Sequence, residues 1–289
     1  MSPHPFRRTV GLAPAVWRTV RRLHQRPRVL PLLAAVLLSA CRAARADGSA
    51  ADHTGGRLGT ASDTLRPVAP AGMPADSFPE PSRSVADIVA PRWTAEDDRD
   101  NVGEFTRVAT LAGVTRGMTV ADIGAGDGYY VARLSPLVGA TGRVFGQDII
   151  PAYLELLARR VQSDGLRNVT VALGAPHDPR LPANAVELAF MIHMYHEIEQ
   201  PFALLWNLAS SMRPGGRLVI LDLERPTFGH GTPTPLLRCE LRALGYQERS
   251  FTRTGAEEYV AIFEAPTLSA RPTPAAVRAA LQRTPCRAS

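Results

Sequence analysis

The run Val120-Ala121-Asp122-Ile123-Gly124-Ala125-Gly126-Asp127-Gly128-Tyr129-Tyr130 restricts the fold more than any other part of the chain. Val120, Ala121 and Ile123 supply the apolar side chains of a strand covered on both faces. The strand ends at an acid and passes through three glycines, a pattern expected to lead into a helix. Without β-carbons at Gly124, Gly126 and Gly128, a ligand can approach the backbone closely. A strand, glycine turn and helix of this kind is a nucleotide-cofactor loop. Its spacing excludes a dinucleotide: G-x-G-x-x-G needs a third glycine where this chain has Tyr129 in one register and Val131 in the other. NAD-dependent oxidoreduction is disfavoured on the same ground.

The next segment supplies a second acid. After a helix from Tyr129 to about Val138 and the turn Gly139-Ala140-Thr141-Gly142, the residues Arg143 to Asp148 read as a strand ending in a carboxylate 20 residues beyond Gly128. A carboxylate there can accept both hydroxyl protons of a ribose diol. The alternative makes Asp148 a cap for the helix starting near Pro151. An acid two residues before G-x-G-x-G resembles motif I of the class I S-adenosylmethionine (SAM) dependent methyltransferases, and the ubiquinone/menaquinone-biosynthesis-like branch is nearest in pattern. The resemblance covers about Val102 to Glu264. It includes Pro182 and Glu187 around strand four and Met212-Arg213-Pro214-Gly215-Gly216-Arg217 before strand five. It implies SAM as cofactor, held by Asp122, Gly124, Ala125, Gly126, Gly128, Asp148, Ile149, Ala175 and Ile192. Two positions depart from the family pattern. Gly174-Ala175 stands where an acid near the adenine is common, leaving backbone amides around Ala175 to serve, and Glu187 replaces the usual Asp.

The formal net charge of +6 suggests nucleic-acid binding until the charges are placed. All 33 basic residues are Arg, and Arg7, Arg8, Arg18, Arg21, Arg22, Arg26 and Arg28 precede residue 41, leaving 26 Arg against 27 acids beyond it. No basic and aromatic stripe argues for a nucleic-acid partner. The basic head instead leads into the apolar run Val29 to Ala40, too short to span a bilayer and suited to a signal-peptide core. Leu38-Ser39-Ala40-Cys41 resembles the bacterial lipobox, which implies lipidation of Cys41, a membrane-associated chain and an envelope address facing the periplasm. A cytoplasmic enzyme with a misassigned start is the alternative. Residues 42–83 are poor in large apolar side chains and read as a flexible linker. Residues 266–289 are expected to form a poorly ordered tail with at most a short helix from Pro274. Cys239 and Cys286 have no metal-ligand spacing, and no metal is expected.

Residues 84–265 are enough for one well-buried domain. Thr94 and Asp97 mark the start of an entry helix, and Val102, Phe105, Val108, Ala109 and Ala112 recur at helical spacing up to Gly113. Strands at 169–173, 186–192 and 217–222 then alternate with helices at 201–212 and about 234–244, and strands from Tyr246 and Glu258 follow without a helix between them. This predicts a Rossmann-like, doubly wound α/β domain with a mostly parallel seven-stranded sheet closed by an antiparallel hairpin.

Ligands of such sheets lie beyond the carboxyl ends of the strands, so the segment Ile192-His193-Met194-Tyr195-His196-Glu197 faces the acceptor. His193 and His196 are candidate bases because imidazole titrates near neutrality, and Tyr195 is a candidate for orienting the acceptor. The alternative has His196 and Glu197 capping the helix at Pro201 and Tyr195 packing against the sheet. The function expected is methyl transfer to a small-molecule or lipid-like acceptor. The reading from another class is a membrane-tethered SAM-fold binding protein without turnover.

Overall fold

The computed structural model describes residues 65–89 and 95–287. The expected signal peptide, Cys41 and the first part of the linker, up to residue 64, lie outside them. Seven strands form one sheet in the order β3-β2-β1-β4-β5-β7-β6. β1 (Thr119–Ile123), β2 (Arg143–Asp148), β3 (Val169–Leu173), β4 (Val186–Ile192) and β5 (Met212–Leu223) are parallel, and β6 (Gln247–Arg253) and β7 (Glu258–Glu264) close the sheet as an antiparallel pair. The expected fold class is the observed one.

Period-two alternation splits the strands between two cores. In β4, Leu188 and Phe190 enter one core while Ala189 and Met191 enter the other; in β5, Val219 and Leu221 face Leu218 and Ile220 in the same way. Both faces are covered there, so residues 188–192 and 218–221 read as continuous apolar runs. One face carries α2 (Glu104–Ala112), α3 (Tyr129–Val138) and α4 (Pro151–Ser163) through Val108, Val131, Leu134, Leu154 and Leu157. The other carries α5 (Pro201–Ser211), α6 (Thr234–Ala243) and α7 (Pro274–Arg283) through Phe202, Leu205, Leu237, Leu241 and Val277.

Three expectations are corrected. The single entry helix is two, α1 (Glu96–Asn101) and α2, because Gly103 adopts φ +65° between them and turns Val102 out to 65% exposure. The domain extends further toward the amino terminus than residue 84. Gly72 N donates to Asp178 Oδ2 at 2.7 Å, Asn207 exchanges hydrogen bonds with Met73 at 2.8 and 2.9 Å, and the Arg83 side chain is fully buried against Glu240. Hydrogen bonds and the buried Arg83–Glu240 pair, together with a few apolar anchors such as Phe78 against Trp206, therefore hold residues 65–83 on the body. The tail is also built in: α7 buries Val277 and Leu281, Arg271 stacks on the Trp206 ring at 3.2 Å, and Cys286 forms a disulfide with Cys239 of α6.

Candidate functional site

Strand order reverses between β1 and β4, and a cavity opens there at the carboxyl ends of the strands. Its wall includes Asp122, Gly124, Ala125, Gly126, Asp148, Ile149, Ala175, Ile192 and His193. Of the residues expected at the cofactor, Gly128 alone is not part of it. That glycine acts on packing instead. It has φ +93°, and a Cβ there would lie 2.4 Å from Leu157 Cδ1, so its absence lets α3 begin against α4.

The loop is tied down from below. Gly124 N and Ala125 N both donate to Gln147 O at 2.9 Å, and Gly126 N donates to Asp148 Oδ2 at 2.9 Å. Asp148 Oδ1 accepts from Ile149 N and Ile150 N at 2.7 and 2.9 Å, so the carboxylate both caps the turn into α4 and faces the cavity. Oδ1 is filled by its two backbone donors, and Oδ2, with Gly126 N alone, keeps one lone-pair direction for a further donor. Burial pushes the Asp148 carboxyl above its ordinary range against the pull of these three backbone donors. Asp122 is buried more completely; burial raises it to about 7, the Arg99 guanidinium opposes that rise, and Asp148 adds to it.

A polar group that the sequence pattern did not reveal comes from α1, whose Arg99 lines the cavity, and from α2, whose buried Glu104 pairs with it. Arg99 pairs with Glu104 at 2.5 Å and lies 3.8 Å from the Tyr129 ring centre, Tyr130 Oη donates to Glu104 at 3.1 Å, and His193 Nε2 lies 3.5 Å from Glu104 Oε2. Burial would raise the Glu104 carboxyl, but hydrogen bonds from His193 and Arg99 carry it down to about 2. Helical periodicity marks apolar faces and is silent about a buried ion pair, so Arg99 is identified by the cavity it lines and Glu104 by its contacts with Arg99 and His193. Ile88 and Val89 cover the cavity from the amino-terminal segment.

The segment after β4 does not present all its expected residues to the cavity. His193 takes φ +52° and the chain enters a 3₁₀ turn over Tyr195–Glu197. At about three residues per turn, successive side chains point in different directions. His193, Met194 and Glu197 line the cavity, whereas Tyr195 and His196 turn into the body. Tyr195 Oη donates to Glu240 Oε2 at 2.8 Å under the Arg83 guanidinium, and His196 Nδ1 lies 2.9 Å from Asp222 Oδ1. The packing role considered for Tyr195 is the one observed, and neither Tyr195 nor His196 is a wall residue. Burial pushes the Glu197 carboxyl up to about 7, against a hydrogen bond from Val89 N.

Comparison with known proteins fits this geometry. Residues 120–216 match the model of a methyltransferase domain. The chain is 31% identical over 113 residues to a protein-L-isoaspartate O-methyltransferase of Methanothrix thermoacetophila, covering 38% of this chain and 50% of that protein. It is 31% identical over 121 residues to the ubiquinone/menaquinone biosynthesis C-methyltransferase UbiE of Erwinia tasmaniensis, covering 40% and 47%. The chain thus spans about half the length of these curated relatives. The crystal structure of a SAM dependent methyltransferase from Aquifex aeolicus superposes with a TM-score of 0.55 at 25% identity, covering 58% of this chain and 93% of that one. These likenesses support methyl transfer and indicate SAM as the cofactor of the matched domain.

Proposed function

We propose that the chain is a SAM-dependent methyltransferase that holds SAM over the glycine loop and methylates a small-molecule or lipid-like acceptor. The observation that carries this reading is the cavity at the sheet's switch point, floored by the Gly124–Gly126 turn and Asp148. The lining fits the cofactor's chemistry group by group. Asp148 offers the remaining lone pair of Oδ2 to a ribose hydroxyl, and Ile149 and Ala175 give apolar contact for an adenine. Asp122 can receive an ammonium group and Arg99 a carboxylate.

When bound, the cofactor supplies an electrophilic methyl group on a sulfonium. The chain's own residues position the acceptor, shed water and take up its proton. His193 is the base this geometry favours, because it lines the cavity and Glu104 stands ready to stabilise its imidazolium. Two variants separate the roles. Loss of a charge-assisted acceptor is worth roughly 1.5–3 kcal/mol, so Asp148→Asn should weaken SAM binding by about tenfold or more in calorimetry. His193→Ala should bind SAM as the wild type does and lose about 10²-fold or more in turnover, measured after a screen of quinols, phenols and small amines. Unchanged SAM affinity in Asp148→Asn removes that residue from the site. SAM binding without turnover on any acceptor favours the tethered binding protein instead.

The address we infer is the cell envelope, with the mature chain anchored through lipidated Cys41. The Cys239–Cys286 disulfide supports it, since such bonds persist in oxidising compartments and are rare in the cytosol. Wild-type protein should partition with membranes, and Cys41→Ser should accumulate as uncleaved precursor. Soluble cytoplasmic protein that retains its first 40 residues would defeat this address.

A further inference from the structure

Behind the wall formed by Glu197 lies a group of side chains that the methyl-transfer reading does not use. His196, Glu197 and His230 each offer one ligand atom, and these atoms all lie within 4.8 Å of one another. His196 and Glu197 come from the 3₁₀ turn after β4. His230 comes from the turn after β5, where it holds φ +56° at the end of a second short 3₁₀ turn, Thr227–Gly229. A left-handed histidine is a conformation that needs a reason, and here it sets the ring against His196, with centroids 5.5 Å apart and planes at 87°.

The arrangement beneath His196 is the one expected of a metal-binding imidazole. Asp222 is fully buried at the end of β5 and takes Nδ1 of the buried His196 at 2.9 Å, leaving Nε2 as the ring's other nitrogen. The carboxylate is itself fixed, with Leu223 N on Oδ1 at 2.8 Å and Thr232 Oγ1 on Oδ2 at 2.7 Å. A carboxylate behind a histidine fixes the tautomer and ring direction and raises the basicity of the other nitrogen. Nothing in core packing requires this chain of three held groups to end at a second histidine and a glutamate.

We propose that His196, Glu197 and His230 bind a first-row transition metal ion, with Asp222 as the positioning residue for His196. Two imidazoles and one carboxylate suit Zn²⁺, Fe²⁺ or Co²⁺ better than Mg²⁺ or Ca²⁺, which take oxygen ligands. Bonds of about 2.0–2.1 Å need ligand atoms roughly 3.3 Å apart, so atoms within 4.8 Å of one another must draw together by up to about 1.5 Å, a movement open to the exposed His230 side chain. Three protein ligands leave a coordination position open. Because Glu197 also lines the cavity, the ion sits in its wall, and the open position takes an oxygen ligand from that side. On the methyltransferase reading, on which this role rests, that oxygen belongs to the acceptor, which makes the substrate an oxygen-donor compound. The cysteine spacing gave no sign of such a site, because its ligands come from two turns that meet only in the folded chain.

The test uses tag-free full-length protein, stripped with chelator and titrated with Co²⁺ while visible absorption is followed. One ion per chain should bind with ligand-field bands, and Zn²⁺ should displace it. Acetohydroxamate, a small oxygen-donor probe, should shift those bands. His230→Ala and Glu197→Gln should each weaken binding at least tenfold, and Asp222→Asn by 10- to 100-fold, with melting temperatures reporting that the variants are folded. His177→Ala, at a histidine away from the group, should bind as the wild type does. Wild-type protein that binds Co²⁺ no more tightly than Glu197→Gln overturns the site, and bands unmoved by acetohydroxamate overturn the open position. Neither measurement involves SAM, so failure here leaves the methyltransferase reading standing, and failure to bind SAM leaves the metal site standing.

Discussion

Breaking the Cys239–Cys286 bond should lower the unfolding free energy by about 4 kcal/mol. The bond closes a loop with a sequence separation of 47 residues, and constraining a loop of that length in the unfolded chain is worth about that much in the chain-entropy account. In a domain of this size the loss corresponds to a fall of roughly 8–16 °C in melting temperature. Scanning calorimetry of oxidised protein, of reduced protein and of Cys239→Ser should place the last two together, well below the first. A shift under 2 °C would show that the tail adds nothing to stability beyond its own contacts.

The consequence reaches the site through α6. That helix carries Cys239 and also Glu240, which accepts from Tyr195 Oη at 2.8 Å and from Arg83 Nε at 3.0 Å. Arg83 in turn donates to the carbonyls of Tyr195 and Ile198. The staple therefore supports the turn that presents His193 and Glu197 to the cavity, although both cysteines lie outside it.

What the sequence made legible follows from where the constraint is local. The central strands announce themselves because they are covered on both faces and carry apolar runs, as residues 188–192 do, whereas the edge strand β6 is polar and mostly exposed. The glycine loop is readable because Gly124, Gly126 and Gly128 all take φ between +56° and +93°, a region costly for other residues. The helix break at Gly103 was hidden because Val102 just before it keeps helical spacing with Phe105 and Ala109 beyond it, although α1 itself carries no apolar residue. The tail was hidden because, among its described residues, only Val277, Leu281 and Cys286 are buried, too few to stand out among Pro, Ala and Arg. A disulfide partner cannot be deduced from spacing alone. The order of side chains after β4 was misread for a related reason: composition put His193, Tyr195, His196 and Glu197 in one segment, and the backbone of a 3₁₀ turn decided which of them face the cavity.

Asp122 should make stability fall as pH rises from about 4 to 7, the opposite of the usual behaviour of a paired carboxylate. Burial at the end of β1 lifts its carboxyl from an ordinary value of 3.8 to about 7. Between those values the folded chain holds a proton that the unfolded chain has released, so unfolding free energy declines with pH across that window. The full advantage is present below about 4 and gone above about 7, and three pH units correspond to a difference on the order of 4 kcal/mol. Glu197 titrates in the same direction and Glu104 in the other, losing its contribution only as pH falls from 4.5 toward 2. Comparison with Asp122→Asn isolates the one group. Denaturant unfolding of both proteins at pH 4 and pH 8 should show the variant gaining on the wild type by up to that amount at the higher pH, and a gap that stays constant with pH would sink the assignment. The same proton links stability to the cofactor. A cationic SAM beside Asp122 favours the ionised carboxylate, so binding near pH 6 should release a proton and affinity should rise with pH up to about 7. Calorimetry in two buffers of different ionisation enthalpy should detect that proton in the wild type and lose it in Asp122→Asn.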